Sequence, residues 1–153
     1  MTNDSITNTQ PKQTLQQKRA AFALEEISKI ANNAGGKITK DLSGFIVGMP
    51  TMILTNGIGQ TFAFLLSKVK DKHEAERDKH AITFKIMMQW IIKKKPDIFG
   101  TIDINNIKFE FLKKFNSLTQ QQYLEIQHEE LRLLEWLKRY ARAMEDKSEN
   151  KKD

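Results

Sequence analysis

The sequence predicts an all-α protein, built as a single compact bundle of five to six helices. Apolar residues recur three and four positions apart along most of the 153-residue chain, and the alternation typical of strands is weak throughout. Residues 43–67, SGFIVGMPTMILTNGIGQTFAFLLS, contain no charged residue, although 29% of the chain is charged. A helix that is apolar on most sides is typical of a bundle centre. The chain length suits one domain with a sizeable core.

The helical domain is predicted to span residues 14–146. Residues 1–13 are rich in Thr, Asn and Gln, which predicts a disordered N-terminal tail. Residues 147–153 form a charged C-terminal tail. The first helix is predicted to begin after Thr14, a typical N-cap residue, and to end at Gly35-Gly36. Phe22 and Ile27 lie on its apolar face.

The uncharged stretch predicts a central helix over residues 43–70, divided at Pro50 and kinked at Asn56-Gly57. Asn-Gly is also a hairpin signal, but the following FAFLL lacks the alternation of a strand. One face of this helix is predicted to carry bulky residues (Leu54, Ile58, Phe62, Leu65 and Val69). A second face carries small residues that are predicted to contact a neighbouring helix (Thr55, Gly59, Ala63 and Ser67).

A membrane-spanning role for this stretch is not expected. A spanning helix needs about 20 mostly apolar residues, whereas polar residues and Pro50 interrupt the stretch, and the mean hydropathy of the chain is −0.54. The sequence has no Cys and no secretory signal at its N-terminus, so we expect a cytoplasmic protein.

Three more helices are predicted after the central one. The third begins at Asp71, with Glu74 in the capping-box position, and stops at Pro96. Its C-terminal Lys93, Lys94 and Lys95 suit the negative end of the helix dipole, which is a sufficient structural reason for them. A short amphipathic helix covers residues 104–115, and the last helix covers residues 120–146 after a Thr119–Gln122 capping box.

The residues do not predict catalysis. His73 and His128 each begin the zinc-protease helix pattern, but the second His of that pattern is replaced by Arg. The adjacent carboxylates Glu129 and Glu130 point about 100° apart on a helix and form no acid–base couple alone. We therefore expect no enzyme activity, no catalytic residue, no metal or other cofactor and no small-molecule substrate. The net charge of +6 and pI of about 9.5 are compatible with nucleic-acid binding.

Three segments resemble a known family. They are QKRAAFALEEI (17–27), MPTMILTNGIGQTFAFLLSK (49–68) and EELRLLEWLKRYARAM (129–144). In this order they resemble the small helical subunit of the type III-B CRISPR effector, the Cmr complex of the RAMP module. The resemblance covers residues 17–144 and leaves the role of residues 93–115 open. It implies that Asn56, Gly57, Gly59 and Trp136 are residues of fold and packing.

The resemblance implies a non-catalytic subunit of an antiviral ribonucleoprotein. Such subunits stack in several copies beside the backbone subunits and line the path of guide RNA and target RNA. The implied partners are therefore the other Cmr subunits, neighbouring copies of this chain, and both RNAs. The basic residues that we predict to contact RNA phosphates are Lys18, Arg19, Lys68, Arg132, Lys138, Arg139 and Arg142.

An alternative function stays open at this point. The same arginines and the small-residue face could serve only protein docking, which would make the chain a spacer without RNA contact.

Overall fold

The computed structural model describes residues 12–69, 78–100, 102 and 107–148, and these residues are helical or in short connections, without a strand. The all-α class is confirmed. The described residues form seven helices: α1 (Leu15–Asn32), α2 (Lys40–Asn56), α3 (Ile58–Ser67), α4 (Lys79–Lys94), α5 (Pro96–Phe99), α6 (Ile107–Asn116) and α7 (Gln120–Ala143). Most of the predicted N-terminal tail, the last five residues of the predicted C-terminal tail, and Asp71, His73 and Glu74 lie outside the described residues.

Helix α7 is the central element, because α1 and α2 both pack along it. Arg19 of α1 bonds to Glu129 of α7, and Ile38, soon after α1, pairs with Glu145 just past the end of α7. Helix α1 therefore runs parallel to α7. Helix α2 returns antiparallel, because the backbone N–H of Ile58 donates to Gln127. The buried face of α7 consists of Ile126, Glu130, Leu133, Leu134, Leu137 and Ala141.

The caps of the first and last helices follow the sequence prediction. Thr14 and Thr119 are N-caps, and each forms the reciprocal capping box with the Gln three positions later. The predicted start of α4 at Asp71 is wrong, because α4 begins at Lys79: its N-cap Asp78 has an extended backbone, and the Asp78 carboxylate accepts the backbone N–H groups of His80 and Ala81.

The predicted division at Pro50 is wrong. Helix α2 continues through Pro50 to Asn56, and the break occurs at Gly57, whose φ of 80° and ψ of 159° end α2. A proline inside a helix costs about 3 kcal/mol, and the fully buried neighbours Met49 and Ile53 hold α2 against the core on both sides of it. Glycine takes a positive φ without the steric penalty of a Cβ, so the chain turns at Gly57 instead.

This break also corrects the two predicted faces. Leu54 is 71% exposed, whereas its neighbour Ile53 is fully buried together with Ile58, Phe62 and Leu65. Because Gly57 starts a new helix, a helical spacing counted across it does not describe one continuous face. Thr55, Ala63 and Ser67 are exposed in the structure, so they contact no neighbouring helix among the described residues.

Residues 93–115, which the family resemblance did not explain, supply part of the core. Phe99, Phe111 and Phe115 are buried. The ring of Phe62 on α3 packs edge-on against Phe111 and Phe115, each with a centroid distance of 5.3 Å. Helices α5 and α6 therefore cover the end of the bundle formed by α3 and α4.

None of the described helices is both long enough and apolar enough to cross a membrane.

Candidate nucleic-acid interface

A buried polar network joins the three helices that carry the candidate site. Arg19 is 6% exposed and donates from Nε and Nη2 to the two carboxylate oxygens of Glu129, both at 2.7 Å. The indole N–H of Trp90 on α4 donates to Oε1 of Glu129 at 3.1 Å. Burial opposes ionisation of Glu129, but the bonds from Arg19 and Trp90 outweigh it and lower the pKa of this carboxyl. The network thus fixes α1, α4 and α7 relative to one another.

Five basic side chains surround this network, and we call them the basic face: Lys18 on α1, Lys93 and Lys94 on α4, and Arg132 and Arg139 on α7. The pKa of Lys94 is lowered, first by its partial burial and also by the positive charges of Lys18, Arg19 and Lys93. These cations are therefore close enough to repel one another. Arg19 lies between the two halves of the face, because it also lines a depression with Arg132 and Arg139.

One half of the basic face borders a cavity of about 410 Å³ between α1 and α4, which we call the α1–α4 cleft. The residues that line it are Gln13, Lys18, Ala21, Phe22, Glu25, Trp90, Lys93 and Lys94. The rings of Phe22 and Trp90 lie 4.9 Å apart. The Nζ atoms of Lys93 and Lys94 lie over these rings, at 5.8 Å from Phe22 and 5.2 Å from Trp90.

The other half borders a depression of about 200 Å³ between α1 and α7, lined by Gln16, Arg19, Arg132, Glu135, Trp136 and Arg139. Trp136 is half-buried against the core, and its ring stacks on Tyr140 at 5.9 Å. Part of the Trp136 side chain is therefore buried by packing, and the rest lines the depression together with Arg19, Arg132 and Arg139.

Lys18 and Arg139 are exposed, and neither has a carboxylate partner within the described part of the chain. Arg132 is also exposed, and its Nε donates to Nε2 of His128 at 2.8 Å, so its charge is not compensated by an acid. These three residues all belong to the basic face.

The other four predicted RNA-contacting residues are placed differently. Arg19 is buried in the network with Glu129. Lys138 pairs with Glu135 at 3.1 Å, and Arg142 pairs with Glu145 at 2.7 Å. Lys68, at the end of α3, lies over the ring of Phe64 at 5.8 Å and is not part of the basic face.

The motif residues of the central stretch connect it to α7. The backbone N–H of Gly59 donates to the Tyr123 hydroxyl at 3.1 Å. A Cβ at Gly57 would lie 2.9 Å from that hydroxyl oxygen, and one at Gly59 would lie 3.3 Å from Phe115. The glycines therefore allow the close approach of α7 and α6. Asn56 is the exposed last residue of α2.

The sequence analysis did not predict Lys93 and Lys94 as site residues, because the favourable interaction of lysines with the helix dipole already explained their place at the end of α4. The available signal was their spacing from Trp90, one helical turn earlier, which mirrors the spacing of Lys18 and Phe22 on α1. Only the packing of α1 against α4 shows that the two pairs face one cleft.

The arrangement suits electrostatic binding of a polyanion. Lysine and arginine side chains contact phosphates without reading sequence. Among the residues that the structure describes, no group of three or more His, Cys, Asp and Glu side chains is arranged to hold a metal ion.

The fold and this face together define a class of protein, a small basic helical bundle with cations gathered on one face. A family model described as CRISPR-associated protein (Cas_Cmr5) matches residues 15–144. The chain therefore belongs to the Cas_Cmr5 family, and it is a small subunit of a type III-B CRISPR Cmr complex. Membership implies association with other subunits of that complex.

Proposed function

We propose that this chain is a non-catalytic structural subunit that stacks in several copies within the Cmr ribonucleoprotein and lines the path of the guide and target RNA. The observation that carries the proposal is the basic face, where five cations from α1, α4 and α7 are gathered around one buried network. The family membership supplies the assembly in which RNA would reach this face.

The charge balance of the face supports RNA as the ligand. The acidic groups nearest to it are already paired, since Glu129 is bonded to Arg19 and Glu25 lies 3.4 Å from Lys29. Lys18 and Arg139 have no acidic partner of their own in the described part of the chain. A phosphate backbone supplies the missing negative charge at regular spacing.

The test reverses two charges of the face in the assembled complex. Complexes that carry Arg132→Glu and Arg139→Glu are expected to assemble and to hold RNA less tightly. Each lost phosphate contact lowers the slope of log affinity against log salt by about 0.7 to 0.9. The matched control is Lys85→Glu with Lys113→Glu, two exposed lysines outside the basic face. Equal RNA affinity and equal salt slopes in both complexes would contradict the proposal.

A second function is favoured by a different surface. The outer face of α2 exposes uncharged residues, among them Gly44, Gly48, Thr51, Leu54 and Thr55, with Leu54 71% exposed. Such a face fits protein contact better than RNA contact. If the chain is only a spacer between subunits, Arg132→Glu with Arg139→Glu leaves RNA retention unchanged, or the variant chain fails to co-purify with the complex.

A further inference from the structure

The α1–α4 cleft has more positive charge than its own acidic groups compensate. Lys18, Lys93 and Lys94 line it, and none of them pairs with a carboxylate among the described residues. Glu25 at its edge pairs with Lys29, and Glu129 beneath it bonds to Arg19 and Trp90. The pKa of Lys94 is lowered, because its burial and its cationic neighbours outweigh the attraction of Glu129. An anion in the cleft would relieve this repulsion.

The shape of the cleft indicates which anion fits. A cavity of about 410 Å³ is larger than a single carboxylate requires. Lysine ammonium groups bind phosphate as point charges, without the paired geometry that arginine offers a carboxylate. Phe22 is half-buried and adds an aromatic surface beside Lys93. Aromatic side chains next to cations are the usual means of holding single-stranded nucleic acid without regard to sequence.

We propose that the α1–α4 cleft binds a phosphate of single-stranded RNA, with Lys18 and Lys94 contacting the phosphate and Lys93 and Phe22 flanking the adjoining nucleotide. This inference rests on the proposed RNA-lining function and assigns part of it to specific residues. Because the residues that line the cleft all belong to one chain, the isolated chain binds such RNA by itself.

The experiment measures binding of a fluorescently labelled oligouridine to the full-length chain by anisotropy, over a series of salt concentrations. Lys18→Gln with Lys94→Gln is compared with Lys85→Gln with Lys113→Gln, which changes the net charge equally at exposed sites outside the cleft. Circular dichroism first confirms that both variants are folded. Unlabelled polyglutamate serves as a competitor that carries carboxylates instead of phosphates.

The proposal expects the cleft variant to bind about tenfold more weakly at low salt, with a salt slope smaller by about 0.7 for one lost single-strand phosphate contact, while the control keeps the wild-type slope. Three results would overturn it: no binding by the wild-type chain, equal losses in both variants, or displacement by polyglutamate as effective as by unlabelled RNA. The last result would identify the cleft as a docking site for an acidic protein segment.

Failure of this inference is distinguishable from failure of the proposed function. The function is tested in the assembled complex through Arg132 and Arg139, which do not line the α1–α4 cleft. If the complex needs these arginines to hold RNA but the isolated chain does not bind oligouridine, only the assignment of the cleft is wrong. The proposed function then stands.

Discussion

Two adjacent glutamates on α7 have opposite environments. Glu129 is bonded to Arg19 and Trp90, which lowers its pKa, whereas Glu130 is fully buried and neither of its oxygens has a hydrogen-bond partner in the part of the chain that the structure describes. Burial, with a smaller contribution from the charge of Glu129, raises the pKa of Glu130 well above its ordinary value of 4.5. Burial in the core therefore favours the neutral form of Glu130.

The Glu130 carboxyl makes stability fall as pH rises. Above about pH 4.5 the unfolded chain releases the Glu130 proton, whereas the folded chain keeps it. The free energy of unfolding therefore falls by up to about 1.4 kcal/mol per pH unit. The fall ends once the pH exceeds the pKa of Glu130 in the folded chain. Glu130→Gln removes this dependence and is expected to be more stable than the wild type at pH 8. Urea unfolding across pH 5 to pH 8 measures it, with Glu125→Gln, an exposed residue of α7, as the control.

An unchanged pH dependence in Glu130→Gln would show that this carboxyl is not held neutral in the core. Glu129 acts in the opposite direction, because the stability from its lowered pKa is present above its unfolded-state value and is lost as acid protonates it.

Arg19 has a structural role that its sequence position does not reveal. Arg19→Met leaves the Glu129 carboxylate with Trp90 as its one hydrogen-bond donor among the described residues, and removing one member of a buried pair costs about 3 kcal/mol. The control Lys138→Met breaks the exposed pair with Glu135 and is expected to cost less than about 1 kcal/mol. Thermal or urea unfolding measures both. Equal stabilities of Arg19→Met and Lys138→Met would contradict the role of the network.

The helices differ in how far the sequence predicts them. Apolar periodicity and capping residues give the start of α1 and of α7, because those signals act within a few neighbouring residues. The Asn56-Gly57 pair also predicts the break at Gly57, but the sequence does not show that α2 continues through Pro50, since that depends on how Met49 and Ile53 pack against the core. A pattern counted across the break then assigns Leu54 to the wrong face.

The candidate site could be predicted only in part for a similar reason. Lys18, Arg132 and Arg139 were recognisable as basic residues of the motif helices, and all three lie on the basic face. Arg19 differs from them because it is buried and paired with Glu129. That partner is 110 positions away along the chain, so the local sequence does not reveal the pair. The convergence of Lys94 with Lys18 likewise requires the packing of α1 against α4.

Two glycines of the central stretch are expected to respond oppositely to the same substitution. Gly57→Ala places a Cβ 2.9 Å from the Tyr123 hydroxyl at a φ of 80°, so it is expected to destabilise the chain by about 1 to 3 kcal/mol. Gly48→Ala meets nothing within 4 Å inside α2 and is expected to stabilise the chain by about 0.5 to 1 kcal/mol. Urea unfolding of both variants checks the pair. A stabilising Gly57→Ala would show that Gly57 does not define the α2–α3 junction.

At the scale of the whole molecule, the bundle separates two kinds of surface. The basic face is formed by α1, α4 and α7, whereas the outer face of α2 carries small uncharged residues and Leu54. A chain of this construction can contact proteins through one surface and RNA through the other, which agrees with the proposed place between backbone subunits and the RNA path. The buried network of Arg19, Glu129 and Trp90 joins the three helices of the basic face into one rigid support.

The most direct test of the central claim is to locate RNA on this chain within its complex. The complex is purified through a tag on the chain, irradiated with ultraviolet light, digested, and analysed by mass spectrometry for RNA-linked peptides. The account predicts co-purification with larger Cmr subunits and short RNAs, and RNA-linked peptides from the first half of α1, the end of α4 and the second half of α7. A complex that contains RNA linked to other subunits, with no RNA-linked peptide from this chain, would contradict the account.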